Sequence, residues 1–284
     1  MERMEMTAYA KINLSLDVLL KREDGYHELR MIMQSVELHD TVILEAGGTD
    51  IRVECNSRWV PENSDNIACK AARLIMDKYG IKSGLKIKII KRIPVAAGMA
   101  GGSSDAAAVL KGLNRMFSIG LDTAALMDIG RRIGADVPYC IAGGTMLAEG
   151  IGELLTPLRP FTGINLVVVK PEIGVSTAWA FKNLDLGRPV DRPDTKLLTE
   201  AVEKGDAAAV AANMKNVLES VTIPRYGIVR EAKERLMELG ALGSMMSGSG
   251  PSVFGIFGDR DGAYAAYKAA SGDKRWNCVL TCTN

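Results

Sequence analysis

Residues 94–105 read Pro94-Val-Ala-Ala-Gly-Met-Ala-Gly-Gly-Ser-Ser-Asp105. The stretch follows an alternating run in which Leu85, Ile87 and Ile89 are apolar and Lys86 and Lys88 polar, the period of a half-buried strand. It leads straight into Ala106, Val109, Leu110 and Leu113, spaced i, i+3, i+4, i+7 as one face of a helix. A glycine-rich turn that delivers the chain into a helix presents N–H groups without carbonyl partners at the positive end of the dipole. That combination attracts anions, phosphate above all. The spacing is neither G-x-x-x-x-G-K-[ST] nor G-x-G-x-x-G, and no H-R-D or D-F-G follows, so the Walker and protein-kinase loops are excluded. A plainer reading stays open, in which Gly98, Gly101 and Gly102 serve a tight turn and Ser103, Ser104 or Asp105 caps the helix. Against it, nearly every side chain from Ala96 to Ser104 is small, more than a cap requires and enough for a ligand to approach the backbone.

Upstream, Thr7–Leu19 alternates strictly, with Ala10, Ile12, Leu14, Leu16 and Val18 on one face and Tyr9, Lys11, Asn13, Ser15 and Asp17 on the other. Lys11 and Asn13 therefore project together, either into a cleft or from a solvated sheet face. Asp24-Gly25 marks a hairpin, after which Tyr26 and His27 begin the return strand. They either pack at the hairpin end or meet a ligand. His39, in E-L-H-D, reads as a turn residue. Asp136, in G-A-D-V-P after a helix stop, either caps the next element or is free for chemistry. Ser247–Pro251 (S-G-S-G-P) is a connector or a second set of backbone donors from Gly248 and Gly250.

With 284 residues, 47% of them hydrophobic and 24% charged, the composition is that of a soluble globular protein of one large or two ordinary domains. A net charge of +1 gives no sign of a nucleic-acid partner. Five cysteines without C-x-x-C spacing argue against a disulfide framework or structural zinc and suit a reducing cytoplasm. No signal peptide, membrane span or obligate protein partner is evident.

Further strands are expected at Glu28–Glu37 and Thr41–Ala46, and helices at Asn66–Tyr79 and from Asp122 to near Gly134. The best candidate boundary is Leu155–Gly163, giving domains 1–156 and 157–284. Beyond it the reading is strand Ile164–Lys170, helix Val175–Asn183, and a Pro- and charge-rich loop at Gly187–Asp194. Helices Asp194–Lys204, Asp206–Leu218 and Ile223–Leu239 follow, then the turn G-S-M-M-S-G-S-G-P and strand Ser252–Phe257. Helix Ala263–Ala270 and strand Asn277–Thr281 close the chain. The mixture implies a two-domain α+β protein.

Three blocks together resemble the GHMP kinase family, named for galacto-, homoserine, mevalonate and phosphomevalonate kinases. They are A-K-I-N-L-S-L-D-V-L-L-K-R-E-D-G-Y-H (residues 10–27), P-V-A-A-G-M-A-G-G-S-S-D-A-A-A (94–108) and M-S-G-S-G-P-S-V-F (246–254). The resemblance implies the GHMP kinase fold, with an N-terminal domain like ribosomal protein S5 domain 2 and a ferredoxin-like α+β C-terminal domain. The glycine block carries the family likeness. A-K-I-N-L with D-G-Y-H narrows it to the branch acting on a cytidine diphosphate-linked methylerythritol, a small-molecule substrate of the non-mevalonate isoprenoid pathway. Its 2-hydroxyl would receive the γ-phosphoryl of ATP.

The same resemblance implies that Pro94, Val95, Ala96, Ala97, Gly98, Met99, Ala100, Gly101, Gly102, Ser103 and Ser104 wrap the ATP phosphates, joined by Gly248, Ser249 and Gly250. Mg²⁺ would bridge the phosphates, with Ser103 or Ser104 approaching it and Ser104 the named metal candidate. Asp136 matches the catalytic base and Lys11 its partner. An aspartate beside a lysine is a feeble base toward a tertiary alcohol, but a loose transition state lets the proton leave late. Asn13 would bind the erythritol end, Tyr26 and Phe181 would sandwich the cytosine, and His27 would read its edge. Thr177, four residues before Phe181, would share its helix face. Many relatives carry Leu-Gly where this chain has Met99-Ala100, and a positive φ at position 100 would strain an alanine. The alternatives are a homoserine- or mevalonate-type kinase of the same family and a non-catalytic ligand sensor on the same fold.

Overall fold

A computed structural model of the chain describes residues 2–187 and 190–284. Arg188 and Pro189, within the loop expected at Gly187–Asp194, lie outside the described residues. Two compact units are interleaved along the chain. The first comprises Met1–Ala10, Leu38–Val95 and Ala100–Gly143, and the second Lys11–Glu37, Ala96–Met99 and Gly144–Asn284. The strands β1 (Arg3–Lys21) and β2 (His27–Ala46), which pair with each other, contribute to both units.

The first unit continues with β3 (Ile51–Cys55), α1 (Ile67–Lys78), β4 (Leu85–Ile90), α2 (Gly101–Met116), α3 (Thr123–Arg131) and α4 (Val137–Ala142). Residues Thr41–Ala46 of β2 pair antiparallel with β4, which pairs parallel with β3. The alternation of β4 places Leu85, Ile87 and Ile89 in the core with Val42 and Leu44, against Ala72 and Ile75 of α1 and Leu110 and Leu113 of α2. Burying each of the larger side chains contributes about 1.5–3 kcal/mol. The helix α2 sits close because Ala106, Ala107 and Ala108 are small, and because a Cβ on Gly112 would collide with Leu44. Asn66 caps α1 by accepting from Ala68 N, and Asp122 caps α3 by accepting from Ala125 N.

The second unit contains β5 (Thr145–Gly150), β6 (Leu154–Pro157), β7 (Asn165–Pro171) and α5 (Thr177–Lys182). It goes on through α6 (Thr195–Lys204), α7 (Ala207–Asn213), α8 (Glu219–Arg225), α9 (Gly227–Glu238), β8 (Gly243–Met246), β9 (Val253–Phe257), α10 (Arg260–Ala270) and β10 (Trp276–Cys282). Leu29–Gln34 of β2 pair antiparallel with β5, and β5 with β6. A separate antiparallel sheet has the order β10-β7-β9-β8 and packs against α9 and α10.

Several expectations are corrected. The two strands expected on either side of His39 are one strand, because Glu37–Asp40 contains neither glycine nor proline to turn the chain. His39 lies within it, its ring edge-on to Tyr9 at 5.6 Å. The helix expected to reach Leu218 stops at Asn213, and residue 216 bridges to Leu16 of β1 instead. The long helix expected over Ile223–Leu239 is α8 and α9, broken at Tyr226 between Pro224 and Gly227. Residues 243–246 of the expected glycine-rich turn are strand β8, and β6 crosses the start of the stretch read as a boundary. Among the described residues no helix is long and apolar enough to cross a membrane.

Candidate active site

The glycine-rich stretch leaves β4 and enters α2 as expected, but its backbone is unusual. Ala96, Gly98 and Ala100 have φ of 51°, 71° and 56°, alternating with residues of negative φ. Alternating sign of φ is a feature of backbone nests in which successive N–H groups converge on an anion. Ala97 and Met99 are buried and hold the loop down, so Met99 offers a ligand only its backbone. Ala100 occupies the N-cap of α2, and among the described residues no side chain caps it. The first-turn N–H groups of Gly101, Gly102 and Ser103 therefore face outward without a helical acceptor. This disposes of the reading in which Ser103, Ser104 or Asp105 caps the helix. Ser104 is buried, its hydroxyl donating to Tyr9 O at 2.5 Å, whereas Ser103 is half-buried.

Beneath the helix end lies a buried ionic cluster that the sequence reading did not single out. Lys91 Nζ donates to Asp40 and, at 2.9 Å, to Asp105 Oδ2. Asp40 Oδ1 accepts from the backbone N–H groups of Arg92 and Ile93 at 2.5 and 2.8 Å. The cluster thus ties the chain entering the glycine stretch to the first turn of α2. Burial pushes the Asp105 carboxyl up to about 7, and the Asp40 charge adds to this against the pull of Lys91. Burial also works against the Lys91 charge, but Asp105 and Asp40 outweigh it and raise its pKa. One ammonium cannot neutralise two carboxylates out of water, so Asp105 shifts upward despite its ion pair, whereas Lys91 shifts upward because of its two.

In the second unit, the polar face of β1 is buried rather than solvated. Lys11 is 5% exposed and Asn13 fully buried. Lys11 Nζ donates to Asn13 Oδ1 at 2.7 Å, and Asn13 Nδ2 to Met31 Sδ at 3.2 Å. Farther along, Ser15 Oγ accepts from Ile32 N at 3.2 Å and Asp17 Oδ1 from Arg192 at 2.6 Å. Lys11 N donates to Met99 O at 3.2 Å. The turn Ser247–Gly250 is packed on the same spot. Ser247 Oγ donates to Gly98 O at 3.0 Å, and a Cβ on Gly98 would run into Ser247 O. A Cβ on Gly248 would lie 3.5 Å from Lys11 Nζ. The turn's glycines have φ of 57° and 87°, and Ser249 Oγ shares a hydrogen bond of 2.9 Å with Thr177 Oγ1.

His27, at the start of β2, stacks on Phe181 of α5 with ring centroids 5.1 Å apart and planes 29° apart. Tyr26 beside it is 58% exposed. Burial lowers the His27 pKa and the nearby Lys21 charge lowers it further, favouring the neutral ring, which carries one donor and one acceptor nitrogen. In the first unit, Asp136 stands at the N-cap of α4 with Pro138 just inside the helix. Among the described residues its half-exposed carboxylate makes no capping hydrogen bond, so the capping reading fails. Gly130 lets α3 approach Val137 and Ile141 closely, since a Cβ there would lie 2.9 Å from each.

The glycine-rich stretch and Asp136 fall within one family-model match, and the Ser247–Gly250 turn within a second. Residues 66–144 match the profile of the GHMP kinases N terminal domain, and residues 198–273 that of the GHMP kinases C terminal. The chain is 58% identical over 283 residues, 100% of both sequences, to the 4-diphosphocytidyl-2-C-methyl-D-erythritol kinase of Acetivibrio thermocellus. The chain belongs to the GHMP kinase family, in its 4-diphosphocytidyl-2-C-methyl-D-erythritol kinase branch. A crystal structure of 4-(cytidine 5'-diphospho)-2C-methyl-D-erythritol kinase superposes on this GHMP kinase with a TM-score of 0.85, 31% identity and 99% coverage of both chains. The homoserine kinase of Cytophaga hutchinsonii, at 17% identity and a TM-score of 0.77 over 100% of this chain and 95% of its own, shares the fold.

In this kinase Ala100 has a φ of 56°. A left-handed alanine costs about 1–2 kcal/mol, partly offset because glycine loses about 0.5–1 kcal/mol more chain entropy on folding. Ala100→Gly is expected to stabilise the protein by up to about 1 kcal/mol in urea unfolding. A lower midpoint in the variant would show that the alanine is unstrained.

Proposed function

We propose that this protein transfers the γ-phosphoryl group of ATP to the 2-hydroxyl of 4-diphosphocytidyl-2-C-methyl-D-erythritol, releasing ADP, in the non-mevalonate route to isoprenoids. The observation that carries the acceptor's identity is the His27–Phe181 stack beside exposed Tyr26. Aromatic faces bind any base by stacking, so selectivity needs an edge reader, and a neutral His27 supplies one. Homoserine and mevalonate carry no base, and the clamp would serve neither. Thr177, on the helix that bears Phe181, adds a hydroxyl for the same substrate. The end-to-end likeness to kinases of this branch supports the same reading.

Each residue then has a role. The segment Pro94–Ser104 wraps the ATP phosphates through backbone N–H groups between Val95 and Ser103, with the Gly248–Gly250 turn backing them. Bound Mg²⁺ would offset phosphate charge. The donors suit a metal held chiefly by phosphate oxygens and water, because Asp105 is buried against Lys91 and Ser103 is the more accessible loop hydroxyl. Ser104, engaged with Tyr9 O, is the weaker candidate. The acceptor oxygen forms its bond to the γ-phosphorus as the bond to the β-phosphate oxygen breaks. Asp136 orients that hydroxyl and takes its proton late, and the Lys11 ammonium stabilises charge on the transferring group. Asn13 binds the erythritol portion. All five cysteines are free thiols, which suits the cytoplasm.

ADP release measured separately with the diphosphocytidyl substrate, homoserine and mevalonate tests the proposal. Turnover is expected with the first alone. Activity confined to either of the others, or none with any, would overturn it.

A further inference from the structure

Outside the residues already discussed, a buried polar side chain of the second unit that makes three hydrogen bonds is Asn216, in the connection between α7 and α8. It is 4% exposed. Its amide Nδ2 donates to two carbonyls of the glycine turn region, Met246 O and Gly248 O, each at 2.8 Å. Its Oδ1 accepts from Leu218 N at 3.0 Å, so each face of the amide is used. Three residues on, Glu219 Oε1 accepts from Met246 N at 2.8 Å, while Lys233 Nζ donates to its Oε2 at 2.5 Å. Thr222 Oγ1 donates to Ser249 O at 3.2 Å. One short segment therefore grips the turn at three successive points.

The same segment is fixed to the strand that bears Lys11. Leu16 N donates to Lys215 O and Val217 N donates to Leu16 O, both at 3.0 Å, making a parallel bridge between Leu16 and Asn216. The main chain of Asn216 is thus registered on β1 and its side chain on the turn. The far side of that turn carries the Ser247 hydrogen bond to Gly98 O, and its Gly248 lies beside the Lys11 ammonium, where a Cβ would come within 3.5 Å of Nζ. No other side-chain type of this size could give two N–H donors and one acceptor here without a charge.

We propose that Asn216 is a positioning residue for phosphoryl transfer, setting the spacing between β1 and the Ser247–Gly250 turn at which Gly98 and the Lys11 ammonium are held for the ATP phosphates. The proposal rests on the kinase reading above, and it concerns a residue that touches neither substrate. With the amide removed, the Met246 and Gly248 carbonyls are left unpaired in a dry site, and the turn relaxes toward whatever donors it can find. Gly98 moves with it through Ser247. Among the described residues, His27 and Phe181 stack on each other and make no hydrogen bond to the turn, which reaches the acceptor side through Ser249 Oγ and Thr177 Oγ1.

Asn216→Ala and Asn216→Ser, in the full chain, should lower kcat/KM for ATP by about 10- to 100-fold and about half as much on a logarithmic scale, respectively, since serine keeps one donor. KM for the diphosphocytidyl substrate should change less than KM for ATP, because the turn reaches that side through the Ser249–Thr177 hydroxyl pair and not through the His27–Phe181 stack. Val229→Ala, which opens the fully buried core under α9, serves as a stability control. It should lower the melting temperature without altering either kinetic constant. Folded Asn216→Ala with wild-type kcat and KM for ATP would overturn the proposal. So would failure of both Asn216 variants to fold, which would make the residue one of stability alone. Absence of turnover in the wild-type protein would instead overturn the kinase reading, and this inference with it.

Discussion

Asp136→Ala is expected to reduce turnover by about 10²- to 10⁴-fold, the range for losing a positioned proton acceptor, while the affinity for an ATP analogue changes less than about threefold. The structural argument lies in what the side chain does not do. It stands at the head of α4, where an aspartate commonly caps, yet it makes no capping bond among the described residues. Its removal should therefore cost little stability, because α4 is held by buried Val137, Tyr139 and Ile141 and by the close approach at Gly130. A carboxylate that is half-exposed and free of helix duty is available to orient a hydroxyl and accept its proton. Steady-state turnover, calorimetry with a non-hydrolysable ATP analogue and thermal melts on the same preparation separate the possibilities. Turnover within threefold of wild type would mean that another group receives the proton. A collapsed melting temperature would mean that Asp136 is structural after all.

Gly98→Ala should be nearly as damaging, by a different route. Position 98 has φ of 71°, where an alanine costs about 1–2 kcal/mol from backbone sterics alone. The new Cβ would also meet Ser247 O, a backbone atom that cannot swing aside as a side chain does. The glycine stretch and the Ser247–Gly250 turn must separate, and the nest of N–H groups opens. The expected result is a rise in KM for ATP of about 100-fold, from the combined strain and lost phosphate contacts. Melting should fall by only a few degrees, since the core of each unit is untouched. Wild-type KM for ATP in the variant would show that the loop tolerates displacement and does not grip the nucleotide. The contrast with Ala100→Gly is instructive, because two positions in the same left-handed conformation respond in opposite directions to an exchange between glycine and alanine.

Much of this was legible in the chain. The alternation of Leu85–Ile90 and the 3.6-residue period of Ala106–Leu113 placed the strand, the turn and the helix, because those periods follow from which side chains face a core. Asn66, Asp122 and Asp194 announced helix starts, since a cap is a local bond between neighbouring residues. Short elements were missed. The strands β3, β5 and β6 have four to six residues, and α4 has six, too few for a period to show. The strand break expected near His39 and the unbroken helix over 223–239 failed for a related reason. Propensity there is weak, and pairing along β2 or the turn at Tyr226 decided the outcome.

The candidate site divides along the same line. Lys11, Asn13, Tyr26, His27, Asp136 and the two glycine turns stood out as candidates by residue type and local spacing, and the family resemblance of the three blocks gave them their expected roles. The sequence alone could not say whether the polar face of β1 is wet or dry, and the fold buries it from Lys11 to Asp17 while leaving Tyr9 exposed. Nor could it show that His27 meets Phe181, far along the chain. Asn216, Glu219 and the Asp40–Lys91–Asp105 cluster carry no local signature at all. Their importance comes from partners distant in sequence, which only folding brings within hydrogen-bonding reach. What the sequence determined by itself was the glycine stretch between strand and helix, on which the proposed phosphate site rests, because that depends on backbone geometry over a dozen residues. What the tertiary structure decided was which buried groups hold that stretch in shape, because hydrogen bonds and ion pairs are set by distance in space and not along the chain.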